Sequence, residues 1–122
     1  MERRSLGTWG EKRAAAYLRL RGYRILCMNY SQRGGEIDII ARKGKFIVFA
    51  EVKLRKNSDF AAAREFVDRK KQCRIISTAK LWLMENDCEK QPRFDVIEIY
   101  APFGIQTAKP EINHIKNAFT ED

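Results

Sequence analysis

Residues 34 to 55 read Gly-Gly-Glu-Ile-Asp-Ile-Ile-Ala-Arg-Lys-Gly-Lys-Phe-Ile-Val-Phe-Ala-Glu-Val-Lys-Leu-Arg, and no other stretch limits the possible folds so tightly. Its two halves are rich in Ile, Val and Phe, the composition of β-strands, and a tight Lys43-Gly44 turn joins them. Each half also carries carboxylates where a buried strand would exclude them. Glu51 and Lys53 close the apolar run Phe46-Ile47-Val48-Phe49-Ala50. A charge buried among such residues is costly unless it is paired or coordinates a metal.

Side chains alternate faces along a strand, so Glu36 and Asp38 share one face, as do Glu51 and Lys53. With Lys43 and Gly44 as a two-residue loop, Arg42 falls opposite Lys45, Asp38 opposite Phe49 and Glu36 opposite Glu51. All four charged residues then lie on one face, with Asp38 the diagonal neighbour of Glu51. Diagonal neighbours sit roughly 7–8 Å apart, close enough for two carboxylates to converge on one divalent cation. A slip of one residue would part them onto opposite faces.

The rest of the chain supplies the frame. Thr8 to Arg21 has a helical pattern, with Thr8 and Glu11 at capping-box spacing, an apolar stripe of Ala14, Ala15, Tyr17 and Leu18, and Gly22 as the stop. Glu11 has two readings: a structural capping residue, or a first-turn carboxylate facing the hairpin as a further metal ligand. Tyr23 to Tyr30 reads as a strand and Asn29 to Gly35 as a turn. A long helix is expected from about Ala62 to Asn86, with Phe66, Ile75, Ile76, Ala79, Leu81, Trp82 and Leu83 as core candidates. Phe94 to Tyr100 alternates as a strand, 102–110 is a long connection and Glu111 to Phe119 a final short strand. The first three strands can be joined by hairpins, whereas the third reaches the fourth only through a helical crossover. The expectation is a single α/β domain over residues 1–122, a mixed sheet with helices on its faces.

The chain of 122 residues has a net charge of +8, unevenly placed. Lys and Arg outnumber acids eight to two in residues 1–33 and twelve to six in 34–84, and the balance reverses to four against eight in 85–122. The positive field therefore surrounds the hairpin, where it would attract a polyanion, nucleic acid foremost. Lys70, Lys71 and Arg74 lie close together on the long helix, a geometry suited to phosphates, and Gln72 belongs to the same turn. Arg33 and Arg55 flank the acidic stretch as further contacts. The apolar runs are too short for a membrane-spanning helix and the start lacks a signal-peptide core. Three widely separated cysteines fit free thiols in the cytoplasm. His114, in the tail, reads as structural.

Several chemistries are disfavoured. A glycosidase would use two carboxylates but needs neither Lys53 nor a basic field. Serine or cysteine nucleophile schemes lack a well-placed histidine, and no phosphate-binding glycine-rich loop precedes Gly44-Lys45. Metal-assisted phosphodiester hydrolysis remains. Asp38 and Glu51 would hold Mg²⁺ or Mn²⁺, and Lys53 would orient water or stabilise developing negative charge.

Glu36-Ile37-Asp38 followed by Glu51-Val52-Lys53 resembles the core motif of the restriction-endonuclease-like PD-(D/E)xK superfamily. Gly7 to Leu18 with Glu11, Gly22-Tyr23, Asn29, Gly35 to Asp38, Val48 to Lys53, Lys71-Gln72 and Asn117-Ala118-Phe119 are similar to the YraN-like bacterial family of expected endonucleases, related to archaeal Holliday-junction resolvases. That resemblance implies a restriction-endonuclease-like mixed central sheet flanked by helices, a catalytic set of Asp38, Glu51, Lys53 and Glu11, and metal ligation by Asp38, Glu51 and Glu11. It further implies DNA as the substrate, branched or junction DNA included, and a homodimer by analogy with the resolvases. The competing expectation is a non-catalytic nucleic-acid-binding or scaffold module on the same fold.

Overall fold

The computed structural model describes residues 2–56 and 67–121, with side chains from residue 6 onward. In chain order the elements are α1 (Glu2–Leu20), β1 (Arg24–Gln32), β2 (Gly35–Lys43), β3 (Phe46–Arg55), α2 (Arg69–Glu85), β4 (Gln91–Tyr100), a single 3-10 turn (Gly104–Gln106) and β5 (Glu111–Phe119). The five strands form one sheet in the order β1-β2-β3-β4-β5. All neighbours are antiparallel except β3 and β4, which run parallel and are connected through α2. This is the mixed α/β architecture expected from the order of the elements.

The sheet is covered on both sides, which is why β2 to β4 read as near-continuous apolar runs. Ile40, Ile47, Phe49, Phe94 and Val96 pack under α2 through Ile75, Ile76, Ala79 and Trp82. Ile39, Ala41, Val48, Ala50, Ile97 and Ile99 pack under α1 through Ala14, Ala15 and Leu18. By this alternation Glu51 and Lys53, in phase with Phe49, belong to the α2 face.

Several expected boundaries move. α1 starts at Glu2, so Thr8 lies inside the helix and cannot be its N-cap, which removes the capping-box reading of Glu11. The stop is as expected. Gly22 has φ +88°, and the Tyr23 N–H to Leu18 O and Gly22 N–H to Arg19 O bonds, both 3.0 Å, close a Schellman motif. β1 runs on to Gln32, leaving only Arg33-Gly34 as the turn.

In the hairpin Lys43 pairs with Phe46, so the loop is Gly44-Lys45 rather than Lys43-Gly44. Gly44, at φ +57°, takes the first central position that a type II′ turn reserves for glycine. The register is therefore offset by two residues from the expected one, an even shift that keeps Asp38 and Glu51 in phase with each other across the hairpin.

α2 begins at Arg69, where Asp68 caps it by accepting a 2.9 Å bond from the Lys71 N–H. Most of the extra N-terminal stretch expected for this helix, including Arg64 and Phe66, lies outside the described residues. Leu81 is 43% exposed, so it is not a core residue. β4 begins at Gln91 and includes Pro92, whose missing N–H is tolerated because β5 pairs only from Phe94 onward. No helix among the described residues is long and apolar enough to cross a membrane.

Candidate active site

The β2–β3 ladder pairs Ile39 with Ala50 as its last rung. Continued one step, the same register sets Asp38 directly opposite Glu51. Here the backbone pairing gives way to a side chain: Asp38 Oδ2 accepts a 2.8 Å bond from the Val52 N–H. One carboxylate oxygen thus replaces a missing backbone acceptor and fixes the other where the strands part.

Burial pushes the Asp38 carboxyl up to about 7, and the charge of Glu51 pushes in the same direction. The Val52 N–H opposes them, while Glu11 and a hydrogen bond shared with Glu51 add to the rise. Glu51 itself is only 7% exposed. Glu11, on α1, is also raised, first by burial and then by Glu36 and Glu51, against a hydrogen bond with Asn29. Glu11, Glu36, Asp38 and Glu51 therefore share one electrostatic field, drawn from α1, β2 and β3.

The cations come from β3 and α2. Lys53, half-buried, is lowered by burial first and next by the nearby charge of Lys71, with Glu51 pulling the other way. Lys71 Nζ lies 2.6 Å from Glu51 Oε2. Burial works against the Lys71 charge, but the hydrogen bond and the charge of Glu51 outweigh it and raise its pKa. Lys71, Arg74, Glu36 and Glu51 line a cleft of about 220 Å³ with Gly34, Gly35 and Ile75. Gly35 allows α2 to lie this close. A Cβ there would stand 2.0 Å from Thr78 Oγ1 and 3.1 Å from the Arg74 carbonyl.

The other candidate contacts are placed unevenly. Lys70 and Arg33 are exposed, and Arg33 sits in the turn beside the cleft. Arg55 is drawn inward, its Nη2 lying 3.4 Å from an oxygen of buried Glu98. Gln72 is engaged at the start of α2, where its Nε2 donates to Val67 O (2.8 Å) and its Oε1 accepts from Arg69 (3.0 Å). A second cleft, of about 500 Å³, opens beside Glu11 and is lined also by Lys12, Arg19 and Asn29, none of which the sequence pattern singles out for binding.

His114 stands apart from this site. Its Nε2 lies 2.7 Å from Asp95 Oδ2, and Asp95 is fully buried in phase with Ile97 and Ile99 on the α1 face. Arg93 donates to both Asp95 oxygens (2.9 and 2.8 Å) and to Tyr23 Oη (2.6 Å), and the Asn117 N–H donates to Asp95 Oδ1 (3.0 Å). The cluster ties β4 to β5 and to Tyr23, just ahead of β1.

The donor set of the acidic site fits a hard divalent cation. It consists of carboxylate oxygens, and the repulsion between Asp38 and Glu51 is of the kind that Mg²⁺ or Mn²⁺ relieves. Among the described residues no three His, Cys, Asp or Glu side chains already stand in a ligating arrangement. A bound metal would therefore require side-chain adjustment, starting with Lys71 on Glu51.

A family profile described as "Uncharacterised protein family UPF0102" matches residues 10–99. A UPF0102 protein of Caldanaerobacter subterraneus subsp. tengcongensis is 41% identical over 121 residues, covering 98% of each chain. One of Clostridioides difficile is 42% identical over 120 residues, covering 98% of this chain and all of the relative. One of Vibrio campbellii is 36% identical over 119 residues, covering 98% and 95%.

Proposed function

The chain belongs to the UPF0102 family, and from its acidic site we propose that it is a metal-dependent endonuclease hydrolysing phosphodiester bonds of DNA, with branched or junction DNA as its candidate substrate. The supporting observation is the meeting of Asp38 and Glu51, close enough for Glu51 to raise the Asp38 pKa, beside Lys53 and a basic helix start.

Asp38 would offer the metal its second oxygen, the first being tied to Val52 N–H, and Glu51 and Glu11 would complete the protein ligands. When bound, Mg²⁺ or Mn²⁺ supplies Lewis-acid polarisation of the phosphoryl oxygen and a nucleophile at neutral pH. Lys53 orients the attacking water and neutralises charge developing on the phosphate. Its partial burial strengthens that interaction relative to bulk water. Lys70, Lys71, Arg74 and Arg33 hold the flanking phosphates. A homodimer in the cytoplasm, presenting two such sites to one junction, completes the proposal.

Labelled junction, flap and single-stranded DNA should be cut with Mg²⁺ or Mn²⁺. Lys53→Ala should lower the rate by about 10²–10³, the usual consequence of losing one transition-state charge partner. Cleavage that persists in Asp38→Ala and Glu51→Ala and in the presence of a chelator would belong to a contaminant and remove this reading.

The second reading, a non-catalytic nucleic-acid-binding module, is favoured by the Lys71–Glu51 ion pair, which already neutralises one carboxylate without metal. It requires salt-dependent DNA binding with no uptake of Mn²⁺ in a calorimetric titration.

A further inference from the structure

We propose that Lys71 is the resident counter-cation of the acidic site: it holds Glu51 until a divalent cation takes that place, and then turns to the substrate's phosphates. The inference rests on the metal-dependent reading above and names how that site is regulated.

Three observations carry it. The first is the 2.6 Å contact between Lys71 Nζ and Glu51 Oε2, which sets an ammonium on an oxygen that a metal would need. The second is the asymmetry of the pair. The Glu51 side chain is 9% exposed and fixed in the sheet, whereas that of Lys71 is 43% exposed. The third is the anchoring of Lys71. Its own N–H is bonded to the Asp68 cap, so its backbone is held, while four flexible side-chain bonds can re-aim the ammonium that now lies on Glu51 beside Lys53.

A lysine and a divalent cation cannot share this position cheaply. Both compete for the same carboxylate oxygen by a Coulomb attraction that grows with charge, and the metal carries two charges to the ammonium's one. Binding of metal therefore displaces Lys71. The cleft lets it move toward its mouth, where Arg74 stands one turn further along α2. A polyanion arriving there draws Lys71 from the other side. Metal and phosphate then favour one another through a single side chain, and by linkage each must raise the affinity of the other.

The test is a calorimetric titration of the full chain with Mn²⁺ alone. Lys71→Met should bind Mn²⁺ at least about tenfold more tightly than the wild type, because the competing charge is gone. Lys71→Arg, which restores a cation, should not. Lys80→Met removes the same net charge further along α2 and should match the wild type. If Lys71→Met folds poorly, Lys71→Gln serves in its place. A short phosphorothioate duplex should raise the Mn²⁺ affinity of the wild type by a larger factor than that of Lys71→Met, which keeps only the metal's own contact with phosphate. Equal or weaker Mn²⁺ binding by Lys71→Met and Lys71→Gln, with the wild type binding normally, would overturn the inference and leave the nuclease reading standing. No Mn²⁺ binding by any of the chains would remove the metal-dependent reading itself.

Discussion

Replacing Asp38 by Asn should make the protein more stable at neutral pH than the wild type, and the gain should vanish in acid. An amide oxygen keeps the bond from the Val52 N–H, while the charge repelled by Glu51 disappears. The Asp38 pKa is about 7 in the fold against about 3.9 in an unfolded chain. Between these values the native state holds a proton that the unfolded state has released. Stability contributed by this group is therefore full below about pH 4 and drains as pH rises toward 7. Some three pKa units at 1.36 kcal/mol each set a ceiling of about 4 kcal/mol. Asp38 is only partly buried and its pKa belongs to a pair with Glu51, so roughly 1–3 kcal/mol is the expected gain at pH 8. Urea denaturation of both chains at intervals from pH 4 to 8 measures the difference and cancels the other titrating groups. Adding Mn²⁺ should reverse the ranking, since the cation stabilises only the chain that retains the carboxylate. A stability difference that stays flat across this range, or a variant less stable than wild type at pH 8, would refute the coupling between Asp38 and Glu51.

Two further substitutions probe the frame. Gly35→Ala forces a Cβ against Thr78 Oγ1 and the Arg74 carbonyl and should cost about 1–3 kcal/mol by overpacking, read as a lower urea midpoint. Because Lys71 and Arg74 ride on α2, it should also weaken DNA binding, and an unchanged midpoint would deny the close approach of helix and strand. Burial disfavours the Asp95 charge, but His114, Arg93 and the Asn117 N–H hold its carboxyl below the usual range. The stability it lends is therefore present above an ordinary carboxylate pKa and lost as pH falls through the depressed one. Asp95→Ala should cost about 3–5 kcal/mol near pH 7, by leaving Arg93 and His114 without their buried partner, and a loss below 1 kcal/mol would make the network dispensable.

The acidic site was legible in the sequence because parity, rather than register, decides which side chains share a face. Placing the loop at Lys43-Gly44 shifts every cross-strand partner by two, yet Asp38 and Glu51 stay together, and the true register sets them opposite instead of diagonal. The chain even carried the correction. Both primed turns need positive φ at the first central residue, where Gly44 is at ease and Lys43 would be strained. α1 failed on the opposite ground. The spacing of Thr8 and Glu11 is a sound local cap, but Leu6, ahead of it, belongs to the helix, and α1 packs against the 3-10 turn, a contact between elements far apart in the chain. The same separation hid the ion pairs. Asp95 meets a histidine nineteen residues on, Arg55 turns to Glu98, and Lys71, expected as a phosphate contact, rests on Glu51. Periodicity fixes the direction of a side chain, whereas the choice between a protein carboxylate and a ligand phosphate is made by whichever anion is nearer. In the free chain that anion is Glu51. Under the proposal above, a metal taking its place on Glu51 would release the same lysine toward phosphate.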